Sequence, residues 1–304
     1  MKRGGSTISP PSPWVLTCPR ARMVLEPRGP LSVFFLGICL VLMMAQFGCQ
    51  RSYVASSPPA VAATREQVLA RLAFLQGSLK GMRGMATLEV STTDGVYRGK
   101  EFFWMELPDR FRFESLNLLG FPDWVLSSDG DAVQLYLPTE RKIIQGASDP
   151  KNLERMLGAK IPISCVLRIL MGLPPLPLDD GSSSWIFFEE SGAFLREEET
   201  SSPLRQLLWV DGAKGTLERG DILEGGKTVL SFHCGDHREL NGFPIPFRVK
   251  IHLVRSRVNL LWVHRELQVN PSFPEETFRL ALPAKGDLQL LRLEEIGAIE
   301  DWKR

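Results

Sequence analysis

The segment Met82–Ser115, "MRGMATLEVSTTDGVYRGKEFFWMELPDRFRFES", decides the fold, because its apolar residues recur with a period of two. Asp94-Gly95 is a typical hairpin turn, and Pro108-Asp109 is a second turn signal. Phe111 and Phe113 then alternate with charged residues, as expected of a strand with one buried face. The segment therefore predicts an antiparallel meander and argues against a fold of alternating parallel strands and helices.

The same rhythm continues along most of the chain. Thr64 begins a helix with a capping box, and Pro150 and Pro162 open two helices in an insert at 149–172. Short strands resume beyond the Pro-rich connector 172–184. We therefore expect a mainly β domain with a helical lid (α+β) over residues 64–286. Its form would be an incomplete antiparallel β-barrel of about ten or eleven strands covered by helices.

The strand faces of this domain carry more Phe, Trp, Met and Leu than a small two-layer core needs. The strand 101–107 is apolar on both faces, so we expect it to be covered on both sides. A sheet with helices over one side can enclose an apolar cavity for an acyl chain, although ordinary core packing would account for most of these residues. The predicted cavity lining is Phe103, Met105, Phe111, Phe113, Leu135, Val166, Ile169 and Leu170.

The N-terminal region contains an apolar run of 17 residues, Leu31–Phe47. A transmembrane helix needs roughly 20 apolar residues and a signal-peptide core about 7–15, so residues 1–48 are predicted to be a signal peptide whose true start could be Met23. An uncleaved anchor helix is the alternative. Gly48-Cys49 resembles the lipobox of bacterial lipoproteins, in which the Cys is lipidated, although Gln46 and Phe47 depart from the usual pattern. Residues 49–63 then form a Pro/Ser/Ala tether.

The charge of the chain argues against nucleic-acid binding, and its cysteine content allows at most one disulfide in the folded part. The chain has a net charge of +1, and the part after Gly48 carries 31 basic and 34 acidic residues, which gives no electrostatic footprint for nucleic acid. Of five cysteines, Cys165 and Cys234 belong to the folded part. They could form one disulfide in an oxidising periplasm or be separately buried. The tail 287–304 is expected to form a short amphipathic helix.

One motif, HCGDH at His233–His237, could supply a metal site or a Cys/His pair. On a strand the two histidines would lie about 13 Å apart, too far to share a metal, and Gly235-Asp236 is typical of a hairpin turn. No nucleophile elbow, zinc-binding helix motif, phosphate loop or dinucleotide fingerprint is present. We therefore predict no catalytic residues, no metal, no cofactor and no enzymatic activity.

The run "LPDRFRFESLNLLGFPDWVLSSDGDAVQLYLP" (107–138) resembles the LolA/LolB proteins, which carry lipoproteins across the periplasm and place them in the outer membrane. The shared pattern is a Pro, a Phe-Arg-Phe strand, a Gly turn, a Ser-Asp-Gly turn and a Tyr strand ending in Pro. The resemblance implies a helix-lidded incomplete barrel that holds acyl chains. Soluble carriers have an Arg where this chain has Leu107, so the resemblance favours the anchored, LolB-like receptors.

LolB-like receptors use a protruding apolar loop to insert lipoproteins into the membrane. By resemblance that loop is Leu118, Leu119 and Phe121; a buried hairpin corner is the alternative. The resemblance implies a monomer that binds acyl chains of lipoproteins or lipids, receives them from a periplasmic LolA-type carrier, and sits on the periplasmic face of the outer membrane through lipidated Cys49. Inner-membrane anchoring is the alternative location, and a structural or assembly lipoprotein of the envelope is the alternative function.

Overall fold

The structure is a computed structural model that describes residues 64–117, 119–157, 160–178, 183–188, 193–198, 203–280 and 288–295. These residues lie in one compact unit, Pro59–Arg304. The predicted signal peptide, Cys49, the tether and Leu118 lie outside the described residues. Within the described ranges, no helix has the length and apolar character to cross a membrane.

Three α-helices and fourteen strands make up the described fold. The helices are α1 Arg65–Ser78, α2 Pro150–Leu157 and α3 Ile163–Leu170. The strands are β1 Gly81–Ser91, β2 Val96–Glu106, β3 Arg110–Leu116, β4 Pro122–Asp129, β5 Ala132–Leu137, β6 Lys142–Ala147, β7 Ser183–Phe188, β8 Ala193–Glu198, β9 Leu204–Asp211, β10 Thr216–Glu224, β11 Lys227–Leu240, β12 Phe243–Leu253, β13 Val258–Val269 and β14 Gln289–Arg292. Two short 3-10 helices, Glu275–Phe278 and Leu293–Glu295, follow β13 and β14.

All fourteen strands form one open sheet, in the order β14-β6-β5-β4-β3-β2-β1-β13-β12-β11-β10-β9-β8-β7. Every neighbouring pair is antiparallel except β14 with β6, which is parallel. The pairing of β1 with β13 joins the two meanders, since Met82 lies opposite Val269 and Ser91 opposite Asn259. The prediction of a mostly β, antiparallel, open architecture is confirmed.

One face of the sheet, which we name the inner face, carries the core. It bears Met82, Phe103 and Phe111, each at most 1% exposed. Helix α1 packs Val68 and Leu72 into the same apolar cluster, and α3 also contributes side chains to it. The helix begins with the predicted capping box, in which Thr64 and Gln67 bond to each other's backbone N–H groups. Burial of apolar side chains in this cluster is the main stabilising contact of α1 and α3.

The predicted count of ten or eleven strands is wrong, because three strands were not recognised. β6 has only two consecutive isoleucines and a glycine, β8 is rich in Glu, and β14 is four residues long. Short strands without clear alternation give little periodic signal. The parallel pairing of β14 with β6 joins residues far apart in sequence. The tail 287–304 therefore contains a strand at 289–292 where a helix was expected.

Two smaller expectations are also corrected. Gly235-Asp236 is not a hairpin turn, because β11 continues through it with Asp236 in a left-handed conformation (φ 55) and no change in register. The turn falls at Asn241-Gly242, both with positive φ, as a two-residue hairpin requires. The strand 101–107 is not covered on both sides, since Phe102 remains 36% exposed on the outer face.

Candidate functional site

The eight predicted lining residues come together in one apolar cluster on the inner face and helix α3. Phe103, Met105 and Ile169 are fully buried, whereas Phe113, Leu135 and Val166 are half-buried. The cross-strand pairs Phe103–Phe113, Met105–Phe111 and Leu126–Leu135 place them in two adjacent rows across β2 to β5. All eight belong to this cluster, and their role as the lining of an acyl cavity stays a prediction.

Two clefts lined by described residues lie on the outer face of the sheet rather than on this surface. They have volumes of about 440 and 460 Å³ and run across β11, β12, β13 and β1, and across β13, β1 and β2. Phe103, Ile169 and the other predicted lining residues border neither cleft. The predicted lining residues are packed instead within the apolar cluster of the inner face.

A buried histidine attaches α3 to the sheet. His264 is 2% exposed, and burial lowers its pKa to about 4, so the ring is neutral at pH 7. The indole Nε1 of Trp262 donates to its Nδ1 at 3.2 Å. Since that nitrogen must accept, the proton lies on Nε2, which donates to the carbonyl of Leu170 at 3.2 Å. His264 thereby connects β13 to the C-terminal end of α3.

A row of polar side chains crosses the inner face beside the apolar rows. The register places Ala86, Glu101, Ser115 and Trp124 opposite one another across β1, β2, β3 and β4. Tyr97, four residues before Glu101 on the same face, extends over Gly99. Its hydroxyl donates to Glu101 Oε1 at 2.8 Å, and it lies 2.7 Å from Ser115 Oγ and 3.2 Å from the donating Trp124 Nε1.

Glu101 is the member of this row whose hydrogen bonding is incomplete. Its side chain is fully buried, and Oε2 has no hydrogen-bond partner. Burial raises the pKa of Glu101 to about 6; hydrogen bonds from Tyr97 and Ser115 act in the opposite direction, and the negative charge of Asp123 adds to the rise. Because an unpaired buried polar atom is costly, Oε2 requires an explanation.

The pH dependence of stability should show this carboxyl directly. The folded pKa is raised from 4.5 to about 6, so the protonated form favours folding and this contribution to stability is lost as pH rises from 4.5 through 6. We compare the free energy of unfolding of Glu101→Gln with that of the wild type. We expect the difference, variant minus wild type, to rise by about 2 kcal/mol from pH 4.5 to pH 7. Urea denaturation at the two pH values measures the difference.

Glu89→Gln, on the outer face of β1, is the control for this prediction. Its hydrogen bond to Arg98 lowers the pKa of Glu89, so removal of this carboxyl should change the pH dependence in the opposite direction. If the difference in free energy of unfolding between Glu101→Gln and the wild type does not vary with pH, the Glu101 carboxyl is well solvated.

The loop between β3 and β4 presents two apolar side chains to solvent. Leu119 is 82% and Phe121 is 65% exposed, so the alternative of a buried hairpin corner is not observed. Asn117 organises the loop: its Oδ1 accepts from the N–H groups of Leu119 at 2.9 Å and Phe121 at 3.1 Å. Gly120 has a φ of 81, which favours glycine. The exposed apolar tip is therefore held in a defined conformation.

The cysteines and the HCGDH motif supply no reactive centre among the described residues. Cys165 and Cys234 are both buried and free, so the possible disulfide is not formed. Burial raises the pKa of the Cys165 thiol to about 12, which leaves it unreactive. His237 Nε2 lies 3.1 Å from the Leu217 carbonyl, and the described residues include no group of three side chains able to hold a metal.

Sequence reasoning did not identify His264 or the polar row of Tyr97, Glu101, Ser115 and Trp124 as site residues. None of these side chains belongs to a short sequence motif. A signal for Glu101 was present, since Glu101 has the same strand parity as Phe103 and Met105 and must share their face. For His264 the apolar context of β13 gave a weaker version of the same signal.

No protein-family model matches the sequence, and no curated protein does. Among solved structures, a LolA superfamily protein from Nitrosomonas europaea matches at 9% identity and TM-score 0.49, covering 72% of this chain and 98% of that one. A putative outer membrane lipoprotein-sorting protein domain from Vibrio parahaemolyticus matches at 10% identity and TM-score 0.48, covering 70% and 94%. A DUF1329 family protein from Desulfovibrio piger matches at 12% identity and TM-score 0.47, covering 70% and 94%. At TM-scores below 0.5, the function proposed below has to rest on the residues of this chain.

Proposed function

We propose that the protein is an exported lipoprotein that binds acyl chains against the inner face of its sheet and delivers them to the outer membrane. The acyl chains would belong to lipoproteins or to another lipid, received from a periplasmic LolA-type carrier. Lipidation of Cys49 would hold the protein, as a monomer, at the periplasmic face of the outer membrane. Neither chemistry nor a cofactor takes part in this function.

The observation that carries the proposal is the Leu119–Phe121 tip. Two large apolar side chains at 82% and 65% exposure cost solvation free energy in water, and a tight hydrogen-bonded turn prevents them from folding back. Such a tip is suited to contact with a lipid surface. The tip continues directly into β4, whose Leu126 belongs to the apolar rows, so one short segment links the lipid-facing tip to the acyl-binding surface.

Helix α1 packs on the same apolar cluster, and its displacement would give an acyl chain room there. Asn270 holds its C-terminal end, since the side chain donates to the Ser78 carbonyl at 2.8 Å and accepts from Lys80 N at 2.7 Å. The preceding turns contribute Val68 and Leu72 to the apolar cluster. Because apolar contacts are non-directional, an acyl chain can replace those of the helix while the Asn270 end stays attached.

Delipidated full-length protein titrated with a fluorescent C16 fatty acid tests the proposal. We expect saturable binding of one or two chains, displaced by unlabelled palmitate. Replacement of the half-buried Leu135 by Glu would place a charge on the acyl-binding surface and should abolish binding, whereas Val254→Glu, on the turn after β12, should leave it unchanged. Absence of saturable binding in the wild type would refute acyl binding.

The second candidate, a structural or assembly lipoprotein of the envelope, is favoured by one observation. Phe103, Met105 and Ile169 are completely buried, which is what a filled core without room for ligand would show. Under that reading the fatty acid titration gives no saturable binding, and the Leu119–Phe121 tip is a protein-contact surface.

A further inference from the structure

We propose that Glu101, Tyr97 and Trp124 form a subsite for a primary ammonium group carried by the acyl ligand. The inference rests on the proposed function, because it names the polar end of the molecule whose chain the inner face would bind. It goes beyond that function by assigning a head-group chemistry to residues that a purely apolar cavity does not need.

Glu101 carries a buried negative charge that no described side chain neutralises. With a pKa of about 6, the carboxyl is ionised at pH 7 although the side chain is fully buried. No described Lys, Arg or His forms an ion pair with Glu101, and the charge that acts on it is the negative charge of Asp123. A buried carboxylate without a counter-ion is unfavourable, and a cation supplied by a ligand would pair with it.

The Glu101 carboxylate also lacks one hydrogen-bond donor. Tyr97 already donates to Oε1, and Oε2 is the buried atom that remains without a donor. A carboxylate oxygen only accepts, so the missing partner must bring an N–H or O–H group. A primary ammonium brings three donors together with the positive charge, and charge-assisted hydrogen bonds are about twice as strong as neutral ones.

Two aromatic rings, those of Tyr97 and Trp124, lie near the carboxylate. The ring centroids of Tyr97 and Trp124 lie 6.4 Å apart at an interplanar angle of 58°, and both side chains retain solvent exposure. Aromatic faces attract ammonium groups, most strongly when these are desolvated. The Trp124 Nε1 donates to the Tyr97 hydroxyl, which in turn donates to Glu101. The carboxylate and both rings are therefore held as one unit.

The backbone is shaped for this unit. A Cβ added to Gly99 would lie 2.8 Å from Tyr97 Cζ and closer still to the Tyr97 hydroxyl and Glu101 Oε1. A side chain at position 99 is therefore incompatible with the ring crossing it. The position also suits an amphiphile, since the apolar row of Phe103 and Phe113 lies on one side of Glu101, and Trp124 is three residues from Phe121 in the exposed loop.

Probes that share one chain and differ in the head group test the subsite. Full-length delipidated protein would be titrated with monomeric dodecylammonium, dodecanol and dodecyl sulfate by displacement of a fluorescent fatty acid. We expect dodecylammonium to bind roughly tenfold or more tightly than dodecanol, and dodecyl sulfate to bind most weakly. Glu101→Gln and Glu101→Met should remove the advantage of dodecylammonium over dodecanol, while Glu89→Gln should retain it.

The outcomes separate this inference from the proposed function. If no dodecyl probe binds, acyl binding itself fails. If all three probes bind alike, or if the preference for ammonium persists in both Glu101 variants, acyl binding stands and the subsite is refuted. Loss of dodecanol and dodecylammonium binding to the same extent in both variants would assign Glu101 to the fold or to a neutral donor, and would also overturn the ammonium assignment.

Discussion

Replacement of His264 by alanine is expected to lower the free energy of unfolding by about 4 kcal/mol. The substitution leaves the Trp262 indole N–H and the Leu170 carbonyl without partners, and each unsatisfied buried group costs about 1–3 kcal/mol. It also opens a void beside Phe103, whose ring centroid is 5.2 Å from that of His264. Chemical denaturation at pH 7 measures the loss.

The matched control is His252→Ala on the neighbouring strand β12. That histidine lies on the outer face with one hydrogen bond, to Asn259, so its loss should cost less than about 1 kcal/mol. Acid should also separate the proteins. Because the folded pKa of His264 is lowered from 6.5 to about 4, wild-type stability should fall by about 3 kcal/mol as pH drops through this window. A His264→Ala variant that is as acid-sensitive as wild type would contradict the assignment.

Replacement of Leu119 and Phe121 together by glutamate is expected to slow delivery of a bound acyl probe to phosphatidylethanolamine–phosphatidylglycerol vesicles at least tenfold. Each side chain would lose about 2 kcal/mol of favourable burial at the lipid surface, and the added carboxylates would resist entry. Since both side chains point into solvent, the fold and the affinity for the probe should change little. Transfer is followed by the loss of energy transfer from a labelled donor protein.

A double variant with the same added charge elsewhere provides the comparison. Val254 and Leu290 are also apolar and exposed, at 40% and 55%, and lie outside the β3–β4 loop. Val254→Glu with Leu290→Glu should transfer the probe at the wild-type rate. Equal slowing by the two double variants would mean that net charge, and not the Leu119–Phe121 tip, governs transfer.

Local patterns predicted much of the fold because their physical causes are local. Alternation in β1 to β3 and the turns Asp94-Gly95 and Pro108-Asp109 correspond to strands and connections in the structure. The capping box of α1 was found for the same reason. Pairings that depend on distant residues were out of reach, which is why β14 beside β6 and the single fourteen-stranded sheet were not anticipated.

The candidate site was predictable only for its apolar part. Parity along β2 and β3 placed Phe103, Met105 and Phe111 on one face, and the structure buries them together. The hydrogen bonds of His264 reach a helix 94 residues away in sequence, and the Tyr97–Glu101–Ser115 cluster depends on the register between β2 and β3. Neither is encoded in a short motif, so both required the three-dimensional structure.

Native mass spectrometry of the full-length protein, extracted from membranes in a mild detergent, tests acyl binding most directly. We predict a population that carries one or two non-covalently bound acyl lipids, released on collisional activation, in addition to any mass attached covalently at Cys49. Protein that emerges without bound lipid under gentle conditions would contradict the central claim and leave the fold as a filled structural core.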